Sequence, residues 1–275
     1  MLRSTPLRLL AFFFLVAGTG AQTPSRDTHE RLHSVLWVQT SPEYQIACEQ
    51  VFIAATARLN DALDDPFWTA ATEQEGDYWQ LPPAAVFDID ETVLDNSPLQ
   101  ARLVEGRVDY IHEWWLQWEL ENRADAIPGA KRFIKVLRAR GVTPIFVSNR
   151  GAGSKEATVD NLRRELDYPE LTDDQVLLKG EQSDWTSDKT SRRRLLAQKY
   201  RIVFLFGDVY DDFIELGHVS PKERMERATD YKHLWGNRWF LLPNPSYGNW
   251  ERALYDYEGG PDVLKRKYDA LELKR

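Results

Sequence analysis

The sequence predicts an α/β fold: a parallel sheet sandwiched by helices. Three observations carry this. From residue 84 onward short apolar runs alternate with helical patterns, the signature of a parallel sheet covered on both faces. The runs AAVF (84–87), TPIFVS (143–148), QVLL (175–178), IVFLF (202–206) and WFLL (239–242) are almost continuously apolar, as strands buried on both sides must be. Polar groups then follow three of these runs, where such sheets place ligand sites. With 275 residues, 43% apolar and 12% aromatic, the chain is long enough for one large domain or a core with an appendage.

The first element is a leader. Arg3 and Arg8 precede an apolar run from Leu9 to Gly18, and Thr19 and Ala21 offer a small-residue cleavage site. Residues 1–21 are therefore read as a signal peptide and 22–275 as the mature domain. The run is about half the roughly 20 residues a spanning helix needs, and an uncleaved anchor is the alternative. No later segment is long and apolar enough to span, so a periplasmic or secreted protein with no stable membrane anchor is expected. The only cysteine, Cys48, lies too far in to be a lipidated first residue and has no disulfide partner, so a buried thiol is expected.

A helix follows from Ser41 to Leu63. Ser41 suits its cap, Pro42 its first turn, and Tyr44, Cys48, Val51, Ala55 and Leu59 make one apolar face. After the first strand, a segment containing EWWLQW (113–118) leaves the core pattern. A helix over 128–141 has proline at its start and glycine at its end, and further helices are expected over about 154–166, 188–199 and 210–217.

The net charge of −8 argues against a nucleic-acid polymer as partner. The five histidines form no metal-ligand pattern. The acids do: the first strand runs into Asp88-Ile-Asp90-Glu91, and the fourth into Gly207-Asp208, while the second delivers Ser148-Asn149-Arg150 to the same sheet edge. Unpaired buried carboxylates are costly, but carboxylates converging from several strand ends can share a cation. A helix cap is the plainer reading of the first pair, yet a cap needs only one acid.

The D-x-D-x-T run at 88–92, inside FDIDETVLDNSP, together with FLFGDVYDDF (204–213) and LLPNPSYGNWERAL (241–254), resembles the class C acid phosphatases. These are subfamily IIIB of the haloacid dehalogenase (HAD) superfamily, exported enzymes and 5′-nucleotidases of the lipoprotein e(P4) type. The resemblance runs from about Trp37 to about Leu254. It implies a Rossmann-like core over about 80–96 and 126–260 and a small helical cap from about 32–75 and 97–125. It also implies a Mg2+-dependent enzyme acting on small phosphate monoesters. Asp88 would be the nucleophile that forms an aspartyl-phosphate, and Asp90 the general acid and then base. Asp88, Asp208 and the main-chain carbonyl of Asp90 would hold Mg2+, with Asp211 and Asp212 orienting that shell. Ser148 and Asn149 would donate to the phosphoryl oxygens, and Lys189 would be the fixed cation.

Alternatives stand beside these roles. Lys179 ends a strand and competes with Lys189, Ser148 suits a helix cap, and Asp211 and Asp212 suit the first turn of a helix. Val209 and Leu99 depart from the family, which usually has asparagine and an aromatic residue there. Trp114 and Trp118 lie one helical turn apart, and with Tyr247 or Trp250 they could hold the ring of a 5′-nucleotide or of nicotinamide mononucleotide; otherwise they join cap to core. A phosphonatase would usually need a cap lysine, and none lies near Trp114. A silent binding or storage relative would lose the nucleophile, whereas Asp88, Asp90, Lys189 and Asp208 all stand here. The oligomeric state is not legible.

Overall fold

The computed structural model describes residues 28–274. The proposed signal peptide lies outside the described residues. Helices α1 (Leu32–Thr40) and α2 (Pro42–Asp64) lead into strand β1 (Pro83–Phe87). A short ribbon of β2 (Leu94–Asp95) and β3 (Asp125–Ala126) brackets α3 (Ser97–Gly106) and α4 (His112–Glu121). The chain continues through α5 (Ala130–Ala139), β4 (Thr143–Gly151), α6 (Lys155–Glu165), β5 (Val176–Lys179), α7 (Thr190–Ala197), β6 (Arg201–Gly207), α8 (Pro221–Asp230) and β7 (Trp239–Leu241).

The five-stranded sheet has the order β5-β4-β1-β6-β7, and every pairing is parallel. The five apolar runs are its five strands. Connections leave β1 toward β4 and leave β6 toward β7, so the crevice between the carboxyl ends of β1 and β6 is the topological switch point.

Side chains alternate between two cores. Ala85, Phe87, Phe204 and Phe206 face α2, α5 and α6, while Ala84, Val86, Ile202 and Leu205 face α7 and the segment around Trp239. Phe87 and Phe206 stack at 4.5 Å, and Phe206 stacks on Phe240 at 5.0 Å. This aromatic layer lies just beneath the strand ends that carry the acids.

One local expectation holds and one changes. Helix α2 is capped as predicted, with Ser41 accepting from the Tyr44 N–H at 3.2 Å. It also packs against the sheet side of the molecule. Its stripe Tyr44, Cys48, Phe52, Ala55 and Leu59 is buried in the main core, and Phe52 lies 5.7 Å from both Phe133 and Phe206. Gly129 permits this approach, because a Cβ there would come within 2.8 Å of the Phe52 ring. The predicted helix over 210–217 reduces to a single 3-10 turn, Tyr210–Asp212. The Asp212 side chain accepts the Val209 N–H at 3.2 Å and closes the turn, and Phe213 then drops fully into the second core.

Candidate active site

At the crevice, the carboxylates of Asp88, Asp208 and Asp212 present oxygens all within 4.8 Å of one another, and all three residues are buried. Strand geometry places the first two: Asp88 follows β1 and Asp208 follows β6, and the Asp88 N–H donates to the Phe206 carbonyl at 2.9 Å. Asp212 reaches them because residue 207 is glycine; a Cβ there would overlap its carboxylate. Asp208 accepts from Asn244 at 2.8 Å and from Thr92 at 3.4 Å.

The cation among these acids is Lys189, 4% exposed, whose ammonium donates to Asp88 and, at 2.6 Å, to Asp212. Lys179 is exposed at the end of β5 and is not part of the cluster. Lys189 immediately precedes α7, where the helix dipole disfavours a cation, so its position is set by the carboxylates. Arg192 and Arg193 seat that helix. Arg192 donates to the carbonyls of Ser148 (2.6 Å) and Thr186 (2.8 Å), and Arg193 to the Asp212 carbonyl (3.0 Å) and Glu73 (2.9 Å).

Three carboxylates against one ammonium leave this cluster short of positive charge. Burial raises the Asp88 carboxyl to about 7; Lys189 opposes the rise, and Asp212 and Asp90 add to it. Burial, with Asp212 and Asp88, holds Asp208 well above the ordinary carboxylate range. An all-oxygen donor set of this kind suits a hard divalent cation.

Asp90 points elsewhere. Arg150, 2% exposed, places Nε 2.9 Å and Nη2 2.8 Å from its Oδ1. Asn96 donates to the same oxygen at 2.8 Å, and the Ser148 hydroxyl donates to Oδ2 at 3.1 Å. Burial works against the charge, but Arg150 and these donors outweigh it and lower the Asp90 carboxyl. Glu91, at φ 56°, makes the turn after β1 and accepts from Asn96 and from the Tyr247 hydroxyl. Burial and the neighbouring acids hold its carboxyl well above the usual range.

The remaining sequence candidates divide. Ser148 lies inside β4 rather than capping a helix, and β4 runs on to Gly151 with a register shift between the two. Asn149 is at the sheet edge, but its side-chain amide donates to the Ser187 carbonyl at 2.9 Å and accepts from Arg192. That side chain braces the loop before Lys189 and keeps a second amide N–H beyond the one given to Ser187. Asp211 turns away from its neighbour Asp212 to pair with Arg224 at 2.7 Å and Asn249 at 2.9 Å, outside the acid group.

Trp114 is 38% exposed, whereas Trp118 is buried with its N–H on Asn96, so the two do not form one open wall. Trp115 instead meets Tyr247 edge-on at 5.7 Å. Trp250 is 41% exposed, and its indole N–H donates to the Tyr247 carbonyl. Of the departures from the family pattern, Leu99 is fully buried in the core, and Val209 fills the space opposite Gly248.

Asn96 and Asn244 were not singled out from the sequence, and Arg150 was placed at the sheet edge without a role, although each lies inside a motif that was singled out.

The HAD superfamily, subfamily IIIB (acid phosphatase), matches residues 18–250 of this chain. The structure of the class C acid phosphatase from Bacillus anthracis is similar, with a TM-score of 0.79 and 34% identity over 90% of this chain and 99% of that one. The same enzyme with tungstate bound matches with the same score and identity, over 98% of its chain. In sequence, the chain is 28% identical to the stem 28 kDa glycoprotein of Glycine max over 242 residues (84% of this chain, 87% of that one). It is 26% identical to the class B acid phosphatase of Rahnella sp. (strain Y9602) over 245 residues (85% and 93%).

Proposed function

The chain belongs to subfamily IIIB of the HAD superfamily, the acid phosphatases, and from that premise we propose an exported, Mg2+-dependent phosphatase that works through an aspartyl-phosphate on Asp88 and prefers 5′-nucleotides or nicotinamide mononucleotide. Hydrolysis of small phosphate monoesters is the family's activity. The observation that carries the finer reading is the acid triad of Asp88, Asp208 and Asp212 at the switch point, opposed by Lys189.

The side chains of Asp88, Asp208 and Asp212 would hold Mg2+, with the Asp90 main-chain carbonyl as the family resemblance implies. When bound, the ion neutralises phosphoryl charge and orients the ester. Asp88 then attacks phosphorus, its new O–P bond forming as the ester O–P bond breaks. Lys189 holds Asp88 in place and offsets developing negative charge. The departing oxygen takes a proton from Asp90. An approaching phosphate dianion favours that protonated form, because like charge raises a carboxyl's pKa. In the second half a water loses its proton to Asp90 as its oxygen attacks phosphorus, and the Asp88–phosphorus linkage breaks. Alcohol and phosphate leave, and both aspartates return to their starting states. Asp90's pairing with Arg150 suits the basic half of this cycle.

Ring recognition rests on Trp115 and Tyr247, with exposed Trp114 nearby on α4. Export rests on the leader-like residues 1–21. Among the described residues, no helix is long and apolar enough to cross a membrane.

The test is phosphate release from 5′-nucleotides, nicotinamide mononucleotide and p-nitrophenyl phosphate, with Mg2+ or with EDTA. Asp88→Asn is expected to lose on the order of 10⁴-fold in kcat, the scale seen when one member of a catalytic unit is removed. Folded protein that binds Mg2+ but releases no phosphate would instead favour the silent-relative reading.

A further inference from the structure

We infer that Asn96 is a positioning residue for proton transfer: it fixes which oxygen of Asp90 carries the proton and ties that aspartate to helix α4. The inference rests on the reading of Asp90 as proton donor. Asn96 is fully buried and stands at the N-cap of α3, where an asparagine normally accepts from the first-turn N–H groups. It makes no such bond. Asp95 takes over, accepting from the Ser97 N–H at 2.7 Å, and the Asn96 side chain turns to the active site.

Its orientation is dictated by its partners. Trp118 Nε1 at 2.7 Å and Arg150 Nη2 at 3.3 Å can only donate, so the atom facing them is the amide oxygen. The amide nitrogen then donates to Asp90 Oδ1 at 2.8 Å and to Glu91 Oε2 at 3.2 Å. Oδ1 of Asp90 thus accepts hydrogen bonds from Asn96 and from Arg150 Nε and lies 2.8 Å from the charged Arg150 Nη2, which makes it the poorer of the two oxygens for a proton. Oδ2 has only the Ser148 hydroxyl. The proton handed to the leaving oxygen therefore resides on Oδ2. Trp118, braced by Arg102 5.1 Å from its ring, makes that arrangement depend on the seating of α4.

The experiment compares two leaving groups. p-Nitrophenolate departs without a proton, whereas an alkoxide needs one. Asn96→Ala is expected to lower kcat/KM for glycerol phosphate on the order of 10²-fold or more, within the range of general acid catalysis, and for p-nitrophenyl phosphate by less than about tenfold. Trp118→Phe keeps an aromatic ring on α4 but removes the pyrrole part of the indole with the N–H donated to Asn96; it should shift the ratio of the two substrates in the same direction by a smaller factor. An equal fall on both substrates in Asn96→Ala, or an unchanged ratio in Trp118→Phe, would overturn the inference. If Asn96→Ala does not fold, the Trp118→Phe ratio decides alone. Asp90→Asn runs alongside. If it hydrolyses glycerol phosphate at the wild-type rate, Asp90 is not the donor, and the underlying reading fails with the inference.

Discussion

Ile89 separates two carboxylates that share one strand end and meet opposite surroundings. Asp88 faces Asp208 and Asp212 with Lys189 as the ammonium among them, and its carboxyl rises to about 7. Asp90, its side chain 18% exposed against 8% for Asp88, faces Arg150, Asn96 and Ser148, and its carboxyl falls below the ordinary range. Burial penalises charge at both. What differs is the ratio of donors to acids: the Asp90 side is neutralised by the protein's own groups, and the Asp88 side is left with an excess of negative charge that a divalent cation would remove.

The strongest way to break this comparison is Arg150→Met. It leaves Asp90 buried without a cation and should destabilise the fold by about 3–5 kcal/mol in a urea titration. Added Mg2+ should not restore the loss, since the missing charge lies on the other side of Ile89. A variant within about 1 kcal/mol of wild type would mean that Asp90 is neutral in the folded state.

Next comes pH, with and without metal. The folded-state carboxyls of Asp88 and Asp208 are raised, so the stability they permit is complete below about pH 4 and lost as pH rises toward and past about 7. Asp90 has the opposite sign: its contribution is present at neutral pH and lost as pH falls through its lowered folded value. Metal-free protein should therefore melt lower at about pH 8 than at about pH 5.5. Mg2+ at about 100 times its Kd should add roughly 2.7 kcal/mol at the higher pH, a rise of about 5–10 °C. A melting temperature indifferent to both pH and Mg2+ would contradict the charge deficit at Asp88.

The smallest expected effect lies farther out. Trp115→Ala removes the ring that meets Tyr247 and should raise KM for a 5′-nucleotide about tenfold, within the 1–3 kcal/mol of base stacking. KM for a small alkyl phosphate should not move. Equal increases for both substrates would show that Trp115 only joins α4 to the core.

Much of this site was legible before folding. Apolar runs ending in Asp88 and in Gly207-Asp208 identify parallel strands and the sheet edge at once, because a strand buried on both faces leaves its polar groups only at its ends. Neighbouring identical residues were not separable in that way. Asp211 and Asp212 differ by one position, yet one pairs with Arg224 and the other joins the acid triad, as a 3-10 turn and the missing Cβ of Gly207 decide. Trp115 and Trp118 divide similarly, one toward Tyr247 and the other inward to Asn96. Asn96 stands at the start of α3, but Asp95 accepts the Ser97 N–H there and leaves the asparagine to face Asp90.

The sequence by itself determined the class of fold, the five strands and the two acids at the ends of β1 and β6. These follow from periodicity and from the cost of burying polar groups, which act along the chain. Only the tertiary structure decided which third carboxylate completes the group, that Lys189 rather than Lys179 meets it, that α2 belongs to the core, and that Asp90 is held by Arg150 and Asn96. Those outcomes depend on distances between segments far apart in sequence, where a single Cβ or one rotation of a turn sends a side chain into the crevice or away from it.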